Sequence, residues 1–183
     1  MSGMQCGHQL NSQQLLDAQK SKQNADAGAC TGTIVASDIR TPENLGAIYR
    51  LADAAGINNI VVINEAGANC FADKKLKKIS RDAVARLNIK YLTEAEFLKS
   101  SNEYQPLVAI EICTHSEDLF SSQLPGKCSF VVGNERHGIA EALLDVCVKA
   151  IHIPMYGVNG SMNVSHALAI CLYEWRRQHE QEK

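Results

Sequence analysis

Short β-branched runs alternate with amphipathic segments along most of this chain, and no other feature restricts its fold as much. Six runs, at residues 33–36, 59–63, 89–92, 107–112, 129–132 and 150–153, are each bounded by polar, Gly or Pro residues and read as strands. Between them lie helical repeats, clearest at Leu45, Ile48, Ala52 and Ala55 and at Val164, Ala167, Leu168, Cys171 and Trp175. Strand-helix alternation predicts an α/β fold, a mostly parallel six-stranded sheet with helices on both faces. In such sheets ligands bind beyond the carboxyl ends of the strands, so the chemistry belongs in the loops that follow them.

The 183 residues suit one domain, expected at 31–183, preceded by a Gln/Asn/Ser-rich leader at 1–30. The leader carries a helical stretch near 10–20, then small residues at 25–29, and reads as a mobile or substrate-handling extension. No apolar run approaches a membrane span and the polar start lacks a secretory core, which predicts a cytoplasmic protein without membrane contact. Eighteen basic residues stand against twenty acidic ones, so no global positive field collects nucleic acid and any RNA site is local. The seven cysteines form no CxxC pair; Cys113, Cys128, Cys147 and Cys171, within or beside apolar runs, read as small reduced hydrophobes, and the dispersed histidines predict no metal.

Three loops are informative. The first, from Asp38 to Arg50, places Pro42 and Asn44 at a helix start, with Arg50 off the apolar face. A capping asparagine and a solvated arginine would account for it. The second follows the run 129–132 as Gly133-Asn134-Glu135-Arg136-His137-Gly138-Ile139. It is neither a GxGxxG dinucleotide fingerprint nor a GxxxxGK[ST] phosphate loop. Gly133 allows close backbone approach to a ligand, so valine there is expected to block binding while sparing the fold. The third runs from Ile151 through a Gly/Asn loop to Ser165. Ser161, Asn163 and Ser165 are more small polar residues than one helix cap needs, which points to hydrogen bonds with something held at that helix start.

At these residues the sequence resembles the SpoU/TrmH family of RNA ribose 2′-O-methyltransferases. NLGAIYR resembles its Asn-x-Gly-x-x-x-Arg motif, GNERHGI its Gly-x-Glu-x-x-Gly motif, and IPMYGVNGSMNVSHA its third, in the family's order, with Met162 where leucine is commoner. The resemblance implies an S-adenosyl-L-methionine-dependent enzyme, a homodimer with a trefoil knot at its carboxyl end. It implies a cofactor touching Gly133, Ile153 and Met162, with Ile110 and Glu111 as a further wall. Arg50 is then the residue that draws off or stabilises the charge of the 2′-hydroxyl, facing the cofactor of the other subunit. Asn44, Glu135, Ser161 and Asn163 orient it and shape the ribose site.

One feature outside the motifs agrees with RNA as partner. Between residues 73 and 90 lie seven basic residues against two acidic ones, with Lys74, Lys75, Lys77, Lys78 and Arg81 as candidate phosphate contacts. Small members of the family with little beyond the catalytic domain often act on tRNA, so the resemblance implies tRNA before rRNA. The rival readings are a non-catalytic RNA-binding protein of the same fold and a base-methylating enzyme of the same knotted superfamily.

Overall fold

The computed structural model describes residues 9, 11–25, 30–80 and 83–179. The helix at the amino end, α1 (Ser12–Ala25), begins where Asn11 and Gln14 exchange side-chain to backbone bonds of 2.9 and 3.0 Å. The helical part of the leader thus runs further than the sequence pattern, to Ala25, and the small-residue stretch beyond it lies outside the described residues.

The domain that follows is a single sheet of seven parallel strands in the order β3-β2-β1-β6-β4-β7-β5. The strands are β1 (Thr31–Ser37), β2 (Asn59–Ile63), β3 (Asn88–Leu92), β4 (Leu107–Ile110), β5 (Glu117–Asp118), β6 (Lys127–Val132) and β7 (Lys149–His152). The sequence pattern yields six of them. The seventh, β5, is a two-residue charged strand with no apolar run to betray it, held on the edge by pairing with Ile151 and His152. β4 stops at Ile110 because the chain turns there: the Glu111 amide still donates to Ile151, but the Glu111 carboxylate takes the Ile112 amide.

Helices cover both faces. On one lie α2 (Pro42–Ala54), α3 (Asp73–Ser80) and α6 (Val164–His179), whose Leu45, Ile48, Leu76, Leu168 and Trp175 pack with Ile34, Ile60 and Phe130. On the other lie α4 (Glu94–Ser100) and α5 (Glu141–Leu144), whose Phe97 and Leu143 pack with Val35, Val61 and Val131. Alternate residues of one strand therefore feed two cores, which is why the strands read as continuous apolar runs.

Two contacts hold α2 where the site needs it. Gly46 brings α2 against α3 so closely that a Cβ there would lie 2.5 Å from Ile79 Cγ2 and 2.8 Å from its Cβ. At the other end, the Arg176 guanidinium of α6 donates to the Ala55 carbonyl, through Nε at 2.8 Å, and so pins the carboxyl terminus of α2. Tyr49, on the buried face of α2, is 1% exposed, and its hydroxyl bonds that of Tyr91 on β3 at 3.2 Å. Burial first, then the Tyr91 hydroxyl, push the Tyr49 phenol well above its ordinary pKa. Tyr91→Phe strands the Tyr49 hydroxyl in the core and should cost about 1–3 kcal/mol in urea unfolding, whereas the double replacement with Tyr49→Phe should recover most of it.

Cys30, Cys128 and Cys171 are buried in the core, Cys113 and Cys147 are half-buried and Cys70 is exposed, and desolvation pushes the Cys128 thiol up to about 12 and that of Cys147 to about 11. Among the described residues no helix is long and apolar enough to cross a membrane, and no His/Cys/Asp/Glu cluster could hold a metal.

Candidate active site

The carboxyl ends of β1, β6 and β7 bring three distant segments together. Thr41 caps α2, its hydroxyl accepting from the Asn44 amide at 3.3 Å, with Pro42 in the first turn. Capping by Thr41 corrects the expectation that Asn44 serves the helix start, and it leaves the Asn44 side chain available for long-range bonds. Asn44 Nδ2 donates to Glu135 at 2.6 Å, and Asn44 Oδ1 accepts from Asn163 Nδ2 at 2.9 Å. Asn163 in turn caps α6, its Oδ1 accepting from the Ser165 amide at 2.8 Å and hydroxyl at 2.7 Å. One line of hydrogen bonds thus joins the loop after β6, the start of α2 and the start of α6.

Glu135 is the acceptor at the end of this line. Besides Asn44 it takes the Thr41 hydroxyl and the Arg40 amide, both at 3.3 Å. Partial desolvation pushes its carboxyl up, but the bonds from Asn44, its own backbone amide, Arg40 and Thr41 together outweigh that and hold it below the ordinary range. The stability it contributes is therefore present above the unfolded carboxylate pKa of about 4.3 and is lost as pH falls through the lower folded value. Glu135→Gln should be less stable than wild type at neutral pH, and the gap should close as the pH of the melt is lowered through that range.

The loop carrying Glu135 is braced from beneath. Asn134 and Gly138 exchange backbone bonds of 2.9 Å, and the Asn134 side chain donates to the Asp38 carbonyl at 3.0 Å and carboxylate at 2.9 Å. Asp38 has φ of 52°, a left-handed conformation that aspartate tolerates and that these bonds hold. Gly138 has φ of 70°, and a Cβ there would strike the Glu111 carboxylate. Glu111 accepts from the Ile139 amide at 3.0 Å, so it ties the end of β4 to this loop.

The site residues expected from sequence divide accordingly. Asn44, Glu135 and Asn163 meet. Arg50 does not join them: it is exposed on α2 and bonds none of the described residues. Ser161 is exposed on the loop before α6 and makes no bond among the described residues. Gly133 is buried, and Ile110, Ile153 and Met162 are each partly buried beyond the adjoining ends of β6, β4 and β7. Of the basic run, Lys78 is exposed on α3, the side chains of Lys74, Lys75 and Lys77 are not among those described, and Arg81 lies outside the described residues. Asp38, Thr41 and Asn134 are missed by motif reading. Their only sequence signal is the clustering of Asx and Thr directly after β1 and β6.

The sequence and the fold both have counterparts among known proteins. Over 170 residues the chain is 33% identical to the 23S rRNA (guanosine-2′-O-)-methyltransferase RlmB of Blochmanniella floridana, covering 92% of this chain and 65% of that protein. It superposes on an AdoMet-bound rRNA methyltransferase from Sinorhizobium meliloti with TM-score 0.72 and 26% identity, over 81% of this chain and 56% of the other. The fold, at 24% identity, is also that of the A. aeolicus TrmH/SpoU tRNA modifying enzyme, TM-score 0.72 over 91% of this chain and 85% of that one. The chain spans less than two thirds of the length of the first two relatives. The model of the SpoU rRNA methylase family matches residues 32–173, from β1 into α6 and through all three loops, and the chain belongs to that family.

Proposed function

We propose that this chain transfers a methyl group from S-adenosyl-L-methionine to a ribose 2′-hydroxyl of RNA, ribosomal RNA in preference to transfer RNA. The observation that carries the reading is the bond line Glu135–Asn44–Asn163, which joins residues 91 and 119 positions apart in sequence and all in the family's motifs. The ribosomal preference follows the relatives' names and replaces the lean toward tRNA, which rested on chain size alone.

The side chains fit the cofactor. Ile110 and Ile153, half-buried at the adjacent ends of β4 and β7, with the half-buried Met162 on the loop before α6, offer apolar surface suited to an adenine ring, and Gly133 lies in the loop after the neighbouring β6. Glu111 acts by bracing Gly138 and Ile139 and so shapes that wall from behind. When bound, the cofactor supplies an electrophilic sulfonium methyl.

The remaining chemistry belongs to the chain. A protonated 2′-hydroxyl is a poor nucleophile, so its proton must leave and the oxygen's growing charge must be stabilised. The planar, cationic fork of a guanidinium suits Arg50 to positioning the hydroxyl and stabilising its growing charge rather than to serving as a simple base. Its exposure, and the fact that it bonds none of the described residues, support placing it in the site of a second subunit, within a homodimer knotted at its carboxyl end. Asn44 and Asn163, locked by Glu135 and Ser165, hold the ribose side, and the exposed Ser161 adds a further hydroxyl there.

Calorimetry with S-adenosylmethionine and transfer of its labelled methyl to ribosomal RNA test the reading. Saturable binding with transfer supports it, and RNA binding without cofactor binding leaves the non-catalytic rival. Lys74, Lys75, Lys77 and Lys78 serve as the phosphate contacts. Changing all four to alanine should weaken RNA binding and flatten its salt dependence, by about 0.7 to 0.9 in log-log slope for each phosphate no longer neutralised.

A further inference from the structure

Arg40 lies outside the three motifs, yet it is rooted where they meet. Its backbone amide donates to Glu135, and the hydroxyl of the next residue, Thr41, donates to the same carboxylate. Its side chain is 62% exposed and pairs through Nε with the Asp38 carboxylate at 2.8 Å. Nη1 and Nη2 donate to none of the described residues. We propose that these two nitrogens hold the RNA phosphate beside the methylated ribose, with Asp38 as the positioning residue that aims them; this rests on the RNA methyltransferase reading above.

The carboxylate beneath Arg40 is fixed from three sides. Asp38 is the one non-glycine residue with positive φ among those described, and its amide donates to the Ile63 carbonyl at 2.8 Å. Asn134 donates to its carbonyl at 3.0 Å and to its Oδ2 at 2.9 Å, which leaves Oδ1 for Arg40. The anion is thereby tied to β2 and to the loop that carries Glu135. An exposed arginine loses rotamer freedom when it binds a ligand, and one already held at Nε loses less. Its remaining planar pair of Nη groups matches two oxygens of a phosphate.

Position and space agree with that ligand. Arg40 lines a recess on each side of the turn after β1, each of about 270 Å³: one runs to Leu45 and Tyr91, the other to Glu94 and Gly138. A strand can therefore reach the guanidinium. In RNA a phosphate is carried on the 3′-oxygen, the neighbour of the 2′-oxygen, so a cation rooted in the turn that joins Glu135 to Asn44 is placed to hold it. The Glu135 carboxylate is taken up by Asn44, Thr41 and the Arg40 amide and does not compete for the side chain. A phosphate contact of this kind is present before and during transfer, so it sets the RNA concentration needed and not the saturated rate. Arg50 acts the other way.

Unmodified ribosomal RNA tests the assignment, by filter binding to the full chain in S-adenosylhomocysteine and, separately, by labelled methyl transfer. Arg40→Gln should weaken binding at least about 5-fold and lower the log-log salt slope by about 0.7 to 0.9, with the saturated transfer rate within about 3-fold and the thermal melt near wild type. Arg40→Lys should keep the slope and regain only part of the affinity. Asp38→Asn, which suits a left-handed turn and keeps an acceptor for Asn134, should weaken binding on its own but add nothing to Arg40→Gln. A merely structural Asp38 would weaken both backgrounds alike. Unchanged binding or slope in Arg40→Gln, a loss confined to the saturated rate, or additive effects of the two substitutions would overturn the proposal. Transfer by the wild type while Arg40→Gln binds RNA as tightly sinks the phosphate contact alone. RNA binding without transfer by the wild type sinks the methyltransferase reading, and the proposal with it.

Discussion

Arg50→Lys should lower turnover of methyl transfer by at least about 10²-fold while cofactor affinity, read by calorimetry, hardly moves. Lysine keeps the charge but loses the planar fork that can orient a hydroxyl and spread its developing charge. Stability should stay within about 0.5 kcal/mol of wild type, because Arg50 is exposed and bonds none of the described residues. That separation matters: a large loss of rate without loss of fold or cofactor is the mark of a group acting on the reacting atoms. Mixing Arg50→Ala chains with Met162→Trp chains asks where Arg50 works. If each site joins Arg50 of one subunit to the cofactor loops of the other, heterodimers regain one intact site. No recovery would place arginine and cofactor in the same chain.

Gly133→Val should unfold the site, not merely block it. A Cβ at Gly133 would overlap the Gly138 carbonyl and lie 2.5 Å from the Ile139 amide, all backbone held by the Asn134–Gly138 bridge and by Glu111. Nothing there is the free end of a side chain that could swing away. The expected cost is about 3 kcal/mol or more in urea unfolding, with cofactor binding lost as a consequence. A wild-type unfolding midpoint would show that the loop is slack. From sequence alone the same substitution is expected to spare the fold; that expectation fails because the close neighbour of Gly133 is the protein's own chain.

The sheet was largely legible because strands buried on two faces must be apolar at every position, and 129–132 or 59–63 can hardly be anything else. Strand order was not. Nothing in the composition of β1 and β6 says that they lie side by side, and β5 has only Glu117 and Asp118 to offer. The site shows the same division. Asn44, Glu135 and Asn163 were legible as polar residues at helix starts and strand ends, but Arg50 reads by pattern like any solvated arginine, and within the chain it is exposed and its side chain bonds none of the described residues. Asp38 was hidden because its contribution is a backbone conformation and two bonds to Asn134, neither of which leaves a pattern in the chain.

The central claim, transfer to a ribose oxygen, is tested most directly by the product. Ribosomal RNA lacking the modification, incubated with the protein and isotopically labelled S-adenosylmethionine, is digested to nucleosides and resolved by mass spectrometry. The account predicts label in a 2′-O-methylated nucleoside, present with wild type and reduced at least about 10²-fold with Arg50→Lys. Label in a base-methylated nucleoside, or equal label with both proteins, would contradict it.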